Sequence, residues 1–267
     1  YLEANGSRIL IDCGMFQGKG LQTDSMNRDL GFNPAEIDHI ILTHAHIDHS
    51  GLIPYLYRLG FRGSIVCTNA TRDLCAIMLA DSAHIQESDT RQFNKRRLKK
   101  GLPAVDPLYD KNHAANCMEL FIGTAYNRKF RIDQNTTVKF TNTGHMLGSA
   151  VASLEIGNNT EKVRIAYTGD IGRPSSRILK SPEKFPQADI LIAESTYGDR
   201  LHTSYKESEG ELLEIMEDTC VRKKGKLIIP SFSIGRTQEI VYSLNNLYNE
   251  GKLPRVNVYV DSPLSVN

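Results

Sequence analysis

Short runs rich in apolar and β-branched residues punctuate the first two thirds of the chain: RILID at 8–12, HIILT at 39–43, SIVCT at 64–68, TVKFT at 137–141, AVASLEI at 150–156 and VRIAYTG at 163–169. Each ends at polar or glycine-containing turn residues, so each is predicted to be a strand. Residues 69–136, between the third and fourth runs, have helical composition, including ATRDLCAIMLADSAHIQESDTRQFNKRRLKK at 70–100. Strands, then helices, then strands again predict a layered α/β protein rather than an all-β barrel. After residue 188 the rhythm changes to DILIAES, a helical YKESEGELLEIMEDTCVRK, the run KLIIPS, a helical GRTQEIVYSLNNLYNE and the run RVNVYVD. This alternation predicts βαβ units on a parallel sheet, and with them a second domain. No internal repeat or low-complexity segment is visible in the sequence.

Composition narrows the picture only a little. The 267 residues suffice for one large domain or one and a half, and 32 basic against 31 acidic residues leave a net charge of +1. Any affinity for nucleic acid must therefore come from local patches. Five cysteines (Cys13, Cys67, Cys75, Cys117, Cys220) form no C-x-x-C pair, which predicts free thiols in a reducing compartment. The cytoplasm is the default, with the nucleus left open. No apolar run approaches the ~18 residues of a membrane span, and no leader pattern opens the chain. Both ends fall close to strand-like segments, so the chain reads as a piece of a longer protein.

The chemistry gathers at LTHAHIDHSG, residues 42–51, where His44, His46, Asp48 and His49 fall within six positions directly after an apolar run. Neutral imidazole and carboxylate are a ligand set that suits zinc. His44 and His46 can converge on one ion while Asp48 and His49 reach a second beside it, and two metals roughly 3.5 to 4 Å apart are a known device for hydrolysis. Histidines gathered by chance at a strand end are the plainer alternative.

Two further strand ends would complete such a site: His145 in TNTGHMLGSA and Asp170 in YTGDIGRP. His145 would be the third protein ligand of the first metal, and Asp170 could bridge both. Taken singly, each reads as a turn residue. Asp12, in LIDCG, could accept a hydrogen bond from a ligand imidazole and fix its tautomer, or merely terminate a strand before Gly14.

In this order, LIDCG, THAHIDHSG, NTGHMLGSA and YTGDIGR resemble the motifs of the metallo-β-lactamase superfamily of two-zinc hydrolases. DSAHIQES, AESTYGDR, PSFSIGRTQE and VYVDSPLS resemble its nucleic-acid-processing β-CASP branch, which includes RNase J-like nucleases and the endonuclease of pre-mRNA 3′-end processing. The resemblance implies an αββα sandwich with the metals at one edge of two sheets. It also implies an inserted α/β β-CASP capping domain that is truncated here. The domains would be 1–196, lacking its beginning and its C-terminal return, and 197–267, the first part of the β-CASP domain.

Two Zn2+ would be held by His44, His46 and His145 on one side and by Asp48, His49 and Asp170 on the other. Asp48 and Asp12 would share in the catalytic machinery, and Glu194, which closes DILIAE, would assist proton delivery to the leaving group. Family members carry later histidines as a further metal ligand and for acid catalysis, whereas the last histidine here is His202. The second metal site would be weakened accordingly, and a degenerate scaffold is the rival account of the departure.

For the substrate, RQFNKRRLKKG at 91–101 carries Arg91, Lys95, Arg96, Arg97, Lys99 and Lys100 with no acid among them. Such a run either attracts phosphates or forms a solvated helix face. RKKGK at 222–226 reads as a helix end. In IIPSFSIGRTQEI, Ser231, Ser233 and Arg236 surround a helix start suited to a phosphate. The alternative has Ser233 capping the helix and Arg236 paired with Glu239. The expected function is a zinc-dependent metallohydrolase that cleaves RNA phosphodiester bonds through a metal-bound hydroxide, in RNA processing or degradation. A lactone or thioester hydrolase of the same superfamily and an inactive scaffold partner of a nuclease are the alternatives. RNA is the expected partner, a membrane is not, and a homodimer is left open.

Overall fold

The computed structural model describes residues 1–18, 21–157, 161–174, 176–201 and 205–266. His202 lies outside these. The chain divides into two compact units, Tyr1–Glu194 and Ser195–Asn267.

Unit 1 opens with β1 (Leu2–Ala4) and β2 (Ser7–Ile11), followed by α1 (Leu21–Arg28) and β3 (His39–Ile41). Next come α2 (Ile47–Ser50), α3 (Ile53–Arg58), β4 (Ser64–Thr68), α4 (Asn69–Lys99) and α5 (Lys111–Cys117). It closes with β5 (Phe121–Thr124), β6 (Lys129–Arg131), β7 (Thr136–Asn142), β8 (Ala150–Gly157), β9 (Lys162–Tyr167) and β10 (Ile190–Ile192). The first sheet has the order β1-β2-β3-β4-β5 and the second β10-β9-β8-β7-β6. From β2 to β5 the strands run parallel, whereas the second sheet is antiparallel except where β10 joins β9.

The two sheets face each other across one core. Ile9, Ile41 and Val66 from the first meet Val138, Phe140, Ala150, Ala152 and Leu154 from the second. Phe140 is fully buried there, and its truncation to alanine would cost about 3–5 kcal/mol, a large share of a typical domain's stability. Helices α4 and α5 add a layer on the first sheet, α4 packing on β4 and β5 and α5 on α3 and α4. Thr68 caps α4 by accepting from the Thr71 amide. Along α4 the buried residues are Thr71, Cys75, Leu79 and Ala83, a stripe at every fourth position. Beyond Ala83 no residue of α4 is buried, so its basic C-terminal part stands clear of the core. There Asn94 pairs with both backbone groups of Val105 at 2.9 Å, and Arg97 donates to the Pro103 carbonyl.

Unit 2 contains α6 (Tyr205–Met216), a π-helical continuation at Glu217–Arg222, α7 (Arg236–Asn249) and α8 (Pro263–Val266). The first two and α7 pack around Met216, Leu244, Leu247 and Leu253. The runs KLIIPS and RVNVYVD, expected as strands, are not in strand conformation. A strand needs a hydrogen-bonded neighbour, and among the described residues neither run has one. Leu227 and Val256 pack on the helices, while Ile228 and Tyr259 are 85% and 84% exposed. The βαβ sheet expected there is absent among the described residues. All five cysteines are free. No described helix is long and apolar enough to cross a membrane.

Candidate metal centre

Four strand ends of unit 1 bring the site together. The turn after β3 carries His44, His46, Asp48 and His49, with α2 beginning inside it. Asp12 follows β2, His145 lies between β7 and β8, and Asp170 follows β9. Close backbone approaches fix these turns. Gly14 passes so near the Asp48 carbonyl that a Cβ would lie 1.6 Å from its oxygen, and a Cβ on Gly172 would lie 1.9 Å from the Gly144 oxygen. Only glycine fits at either point.

His44, His46, His145 and Asp170 each direct one ligand atom into a cluster whose atoms lie within 4.8 Å of one another. His46 Nδ1 is 3.1 Å from both His44 Nε2 and His145 Nε2. Nitrogens bound to one tetrahedral zinc at ~2.0–2.1 Å would sit roughly 3.3 Å apart, so this spacing and this donor set fit such an ion. Asp170 spans the cluster. Its Oδ2 is 3.4 Å from His145 Nε2 and 3.9 Å from His44 Nε2, and its Oδ1 is 3.3 Å from His49 Nε2. Asp48 Oδ2 lies 3.9 Å from the same His49 nitrogen. All six residues expected from the sequence are thus brought together.

The protonation states diverge inside this small volume. Burial, reinforced by the neighbouring histidines, drives the His44 ring well below its usual range. Burial and His145 push His46 down to about 4, and burial also lowers His145. Burial opposes charge on His49 too, but hydrogen bonds to Asp12 and Asp170 outweigh it and raise that ring to about 10. The His49 hydrogen bond is the main reason that Asp170 falls to about 2. Three imidazoles are therefore held ready as neutral donors, and the fourth is gripped between carboxylates.

Asp12 supports the cluster from behind. Its Oδ2 is 2.7 Å from His49 Nδ1 and accepts from the Thr43 hydroxyl at 2.8 Å, while Oδ1 accepts from the Thr43 amide at 2.8 Å. Asp12 adopts φ +60°, a left-handed conformation that aspartate enters more readily than most non-glycine residues. Glu194 accepts from the Ile171 amide at 2.7 Å, and its own amide donates to Thr168, which ties the end of β10 to the turn bearing Asp170.

Hydroxyl residues that the sequence reading passed over hold the remaining turns. Ser149 Oγ accepts from Thr143 and from the His145 and Met146 amides, and Thr68 and Thr71 both donate to the Gly148 carbonyl. Thr143 and Ser149 adjoin a histidine motif, in NTGHMLGS, whereas Thr68 and Thr71 carry no such signal.

In unit 2, Arg236 pairs with Glu239 at 2.9 Å, the plainer of the two readings. Ser233 does not cap α7; it bonds Ser262, while Gln238 accepts from the Gly235 amide. Ser231 bonds Thr237. These three residues share one segment without forming a convergent cluster.

The sandwich and its strand-end histidines and aspartates define a metallohydrolase-type scaffold. The chain belongs to the metallo-beta-lactamase superfamily, whose profile its residues 1–219 match. Ribonuclease TTHA0252 of Thermus thermophilus is 37% identical over 265 residues, covering 99% of this chain and 55% of that protein. Transcription termination factor FttA of Methanothermobacter thermautotrophicus is 34% identical over 271 residues, covering 98% and 39%. The RNase J-like protein of Methanocaldococcus jannaschii is 33% identical over 266 residues, covering 98% and 55%. The chain spans about half the length, or less, of these curated relatives.

Proposed function

We propose that this protein is a two-zinc hydrolase that cleaves RNA phosphodiester bonds. The observation that carries the reading is the convergence of His44, His46, His145 and Asp170, with Asp48 and His49 alongside. His44, His46 and His145 would hold one ion; Asp48 and His49 would hold the other, with Asp170 shared. Bound there, two such ions would acidify a water for attack on phosphorus and neutralise the oxygens of an in-line displacement. As the water oxygen bonds phosphorus and gives up its proton, the P–O bond to the leaving group breaks and the leaving oxygen needs a proton. In this reading Glu194, which accepts from the Ile171 amide in the Asp170 turn, would assist its delivery, while Asp12 would keep His49 oriented.

RNA as substrate is supported by the names of the relatives and by the basic part of α4, where Arg91, Lys95, Arg96, Lys99 and Lys100 are all exposed and Arg97 is half-buried. In the same reading Arg236 exchanges Glu239 for a phosphate, with Ser231 and Ser233 nearby in sequence. Residues 1–196 would form the metallo-β-lactamase domain and 197–267 would belong to a β-CASP domain. The free thiols support a reducing compartment such as the cytoplasm.

The test is incubation of the zinc-loaded protein with end-labelled RNA, and separately with a lactone and a thioester. Zinc-dependent RNA cleavage abolished by a chelator is expected, and the product ends distinguish internal from 5′-directed cutting. Turnover of a lactone or thioester far faster than any RNA would assign the site to small-molecule hydrolysis. No turnover of any of them with metal bound would make the protein a scaffold.

A further inference from the structure

Thr43 sits between two groups of the site without being a ligand itself. Its Oγ1 lies 2.8 Å from Asp12 Oδ2 and 3.1 Å from His44 Nδ1. A threonine hydroxyl has one proton to give, and an ionised carboxylate can only accept. The proton therefore goes to Asp12, which leaves a lone pair of Oγ1 facing the His44 ring. The second contact is a hydrogen bond only if His44 carries its own proton on Nδ1. His44 and Thr43 are both fully buried, so no bulk water competes for either group.

We propose that Thr43 is a positioning residue that relays the Asp12 carboxylate to His44, fixing the Nδ1–H tautomer and leaving Nε2 free to bind metal. The inference rests on the reading of His44 as a ligand. His44 Nε2 is the atom turned toward His46 Nδ1 and Asp170, as that role requires. The Asp12 oxygen that receives the Thr43 proton also lies 2.7 Å from His49 Nδ1. One carboxylate thus orients two imidazoles, His49 directly and His44 through a single hydroxyl. In the ligand assignment above these belong to different ions. Loss of the hydroxyl should disturb the His44 site alone, whereas loss of the carboxylate should disturb both.

Long-range 15N–1H NMR of the metal-free protein reads the tautomer, and zinc titration reads the two sites, for the wild type, Thr43→Val, Thr43→Ser and Asp12→Asn. His44 should be protonated at Nδ1 in the wild type and in Thr43→Ser, and should lose that single tautomer in Thr43→Val. Zinc affinity in Thr43→Val should fall about 10–100-fold for one equivalent, the usual effect of losing an outer partner, with the other equivalent retained. Asp12→Asn should weaken both. A wild-type His44 protonated at Nε2 would overturn the relay, and that measurement needs no variant to fold. So would a Thr43→Val protein with unchanged tautomer and affinities, or a Thr43→Ser protein that fails to restore them. The expected tautomers without any zinc binding would instead remove the metal reading and leave the relay standing.

Discussion

The turn at 42–51 in unit 1 and the helix start at 230–239 in unit 2 look alike in sequence: each places polar, ligand-type side chains directly after an apolar run. They differ in what meets them. Around the first, three other strand ends converge, so His44 is fully buried and its ring nitrogens face other ring nitrogens and a threonine. Around the second, Arg236 pairs with a residue of its own helix and its side chain remains 62% exposed. Donor chemistry in one segment makes a candidate; convergence from separate segments makes a site.

The sharpest way to break this contrast is to remove a shared or central donor. Asp170→Ala and His46→Ala should each lower RNA hydrolysis by more than the roughly 10–100-fold that loss of an outer partner costs, with the fold retained by circular dichroism. Retained activity in either would sink the ligand assignment. Glu194→Gln should reduce turnover by about 100-fold, at the low end of general acid effects, with metal content close to wild type. Full activity in that variant would remove the proton-delivery role.

The placing of the candidate ligands and of Asp12 near one another was legible because their segments stand at the ends of apolar runs, and strand ends are where a sandwich gathers its turns. Helix α4 was legible only as part of a stretch of helical composition at 69–136, which set neither its ends nor the break before α5. The short strands β5 and β6 were not, because FIGT and KFR carry no period of their own and are strands through their neighbours β4 and β7. KLIIPS and RVNVYVD failed in the opposite sense: their pattern is strand-like, but pairing is a property of a neighbour and not of the run. The hydroxyl network escaped notice because Thr and Ser are ordinary turn residues. Only the approach of Gly148 to α4, or of Asp12 to Thr43, reveals what they hold.

Acid should sharpen the comparison further. In the metal-free protein three histidines of the cluster have lowered pKa values and one, His49, is raised to about 10. Near the unfolded value of 6.5 the lowered rings bind fewer protons folded than unfolded, so they lose stability as pH falls, while His49 works the other way. Three against one gives a net loss, so thermal unfolding with a chelator should shift to lower temperature between pH 7 and 5.5. A flat or rising profile there would contradict these protonation states. The smallest effect belongs to unit 2. Arg236→Ala should cost only ~0.2–0.5 kcal/mol of stability and reduce the salt dependence of RNA binding by about one phosphate contact. An unchanged salt slope would return Arg236 to an ordinary surface pair.

The claim on which the rest depends is that His44, His46, His145 and Asp170, with Asp48 and His49 alongside, hold metal. Elemental analysis of the full-length protein purified with zinc supplied addresses it directly: two equivalents per complete subunit are predicted, falling in His46→Ala and Asp170→Ala. A wild-type protein that retains no transition metal under those conditions would contradict the account.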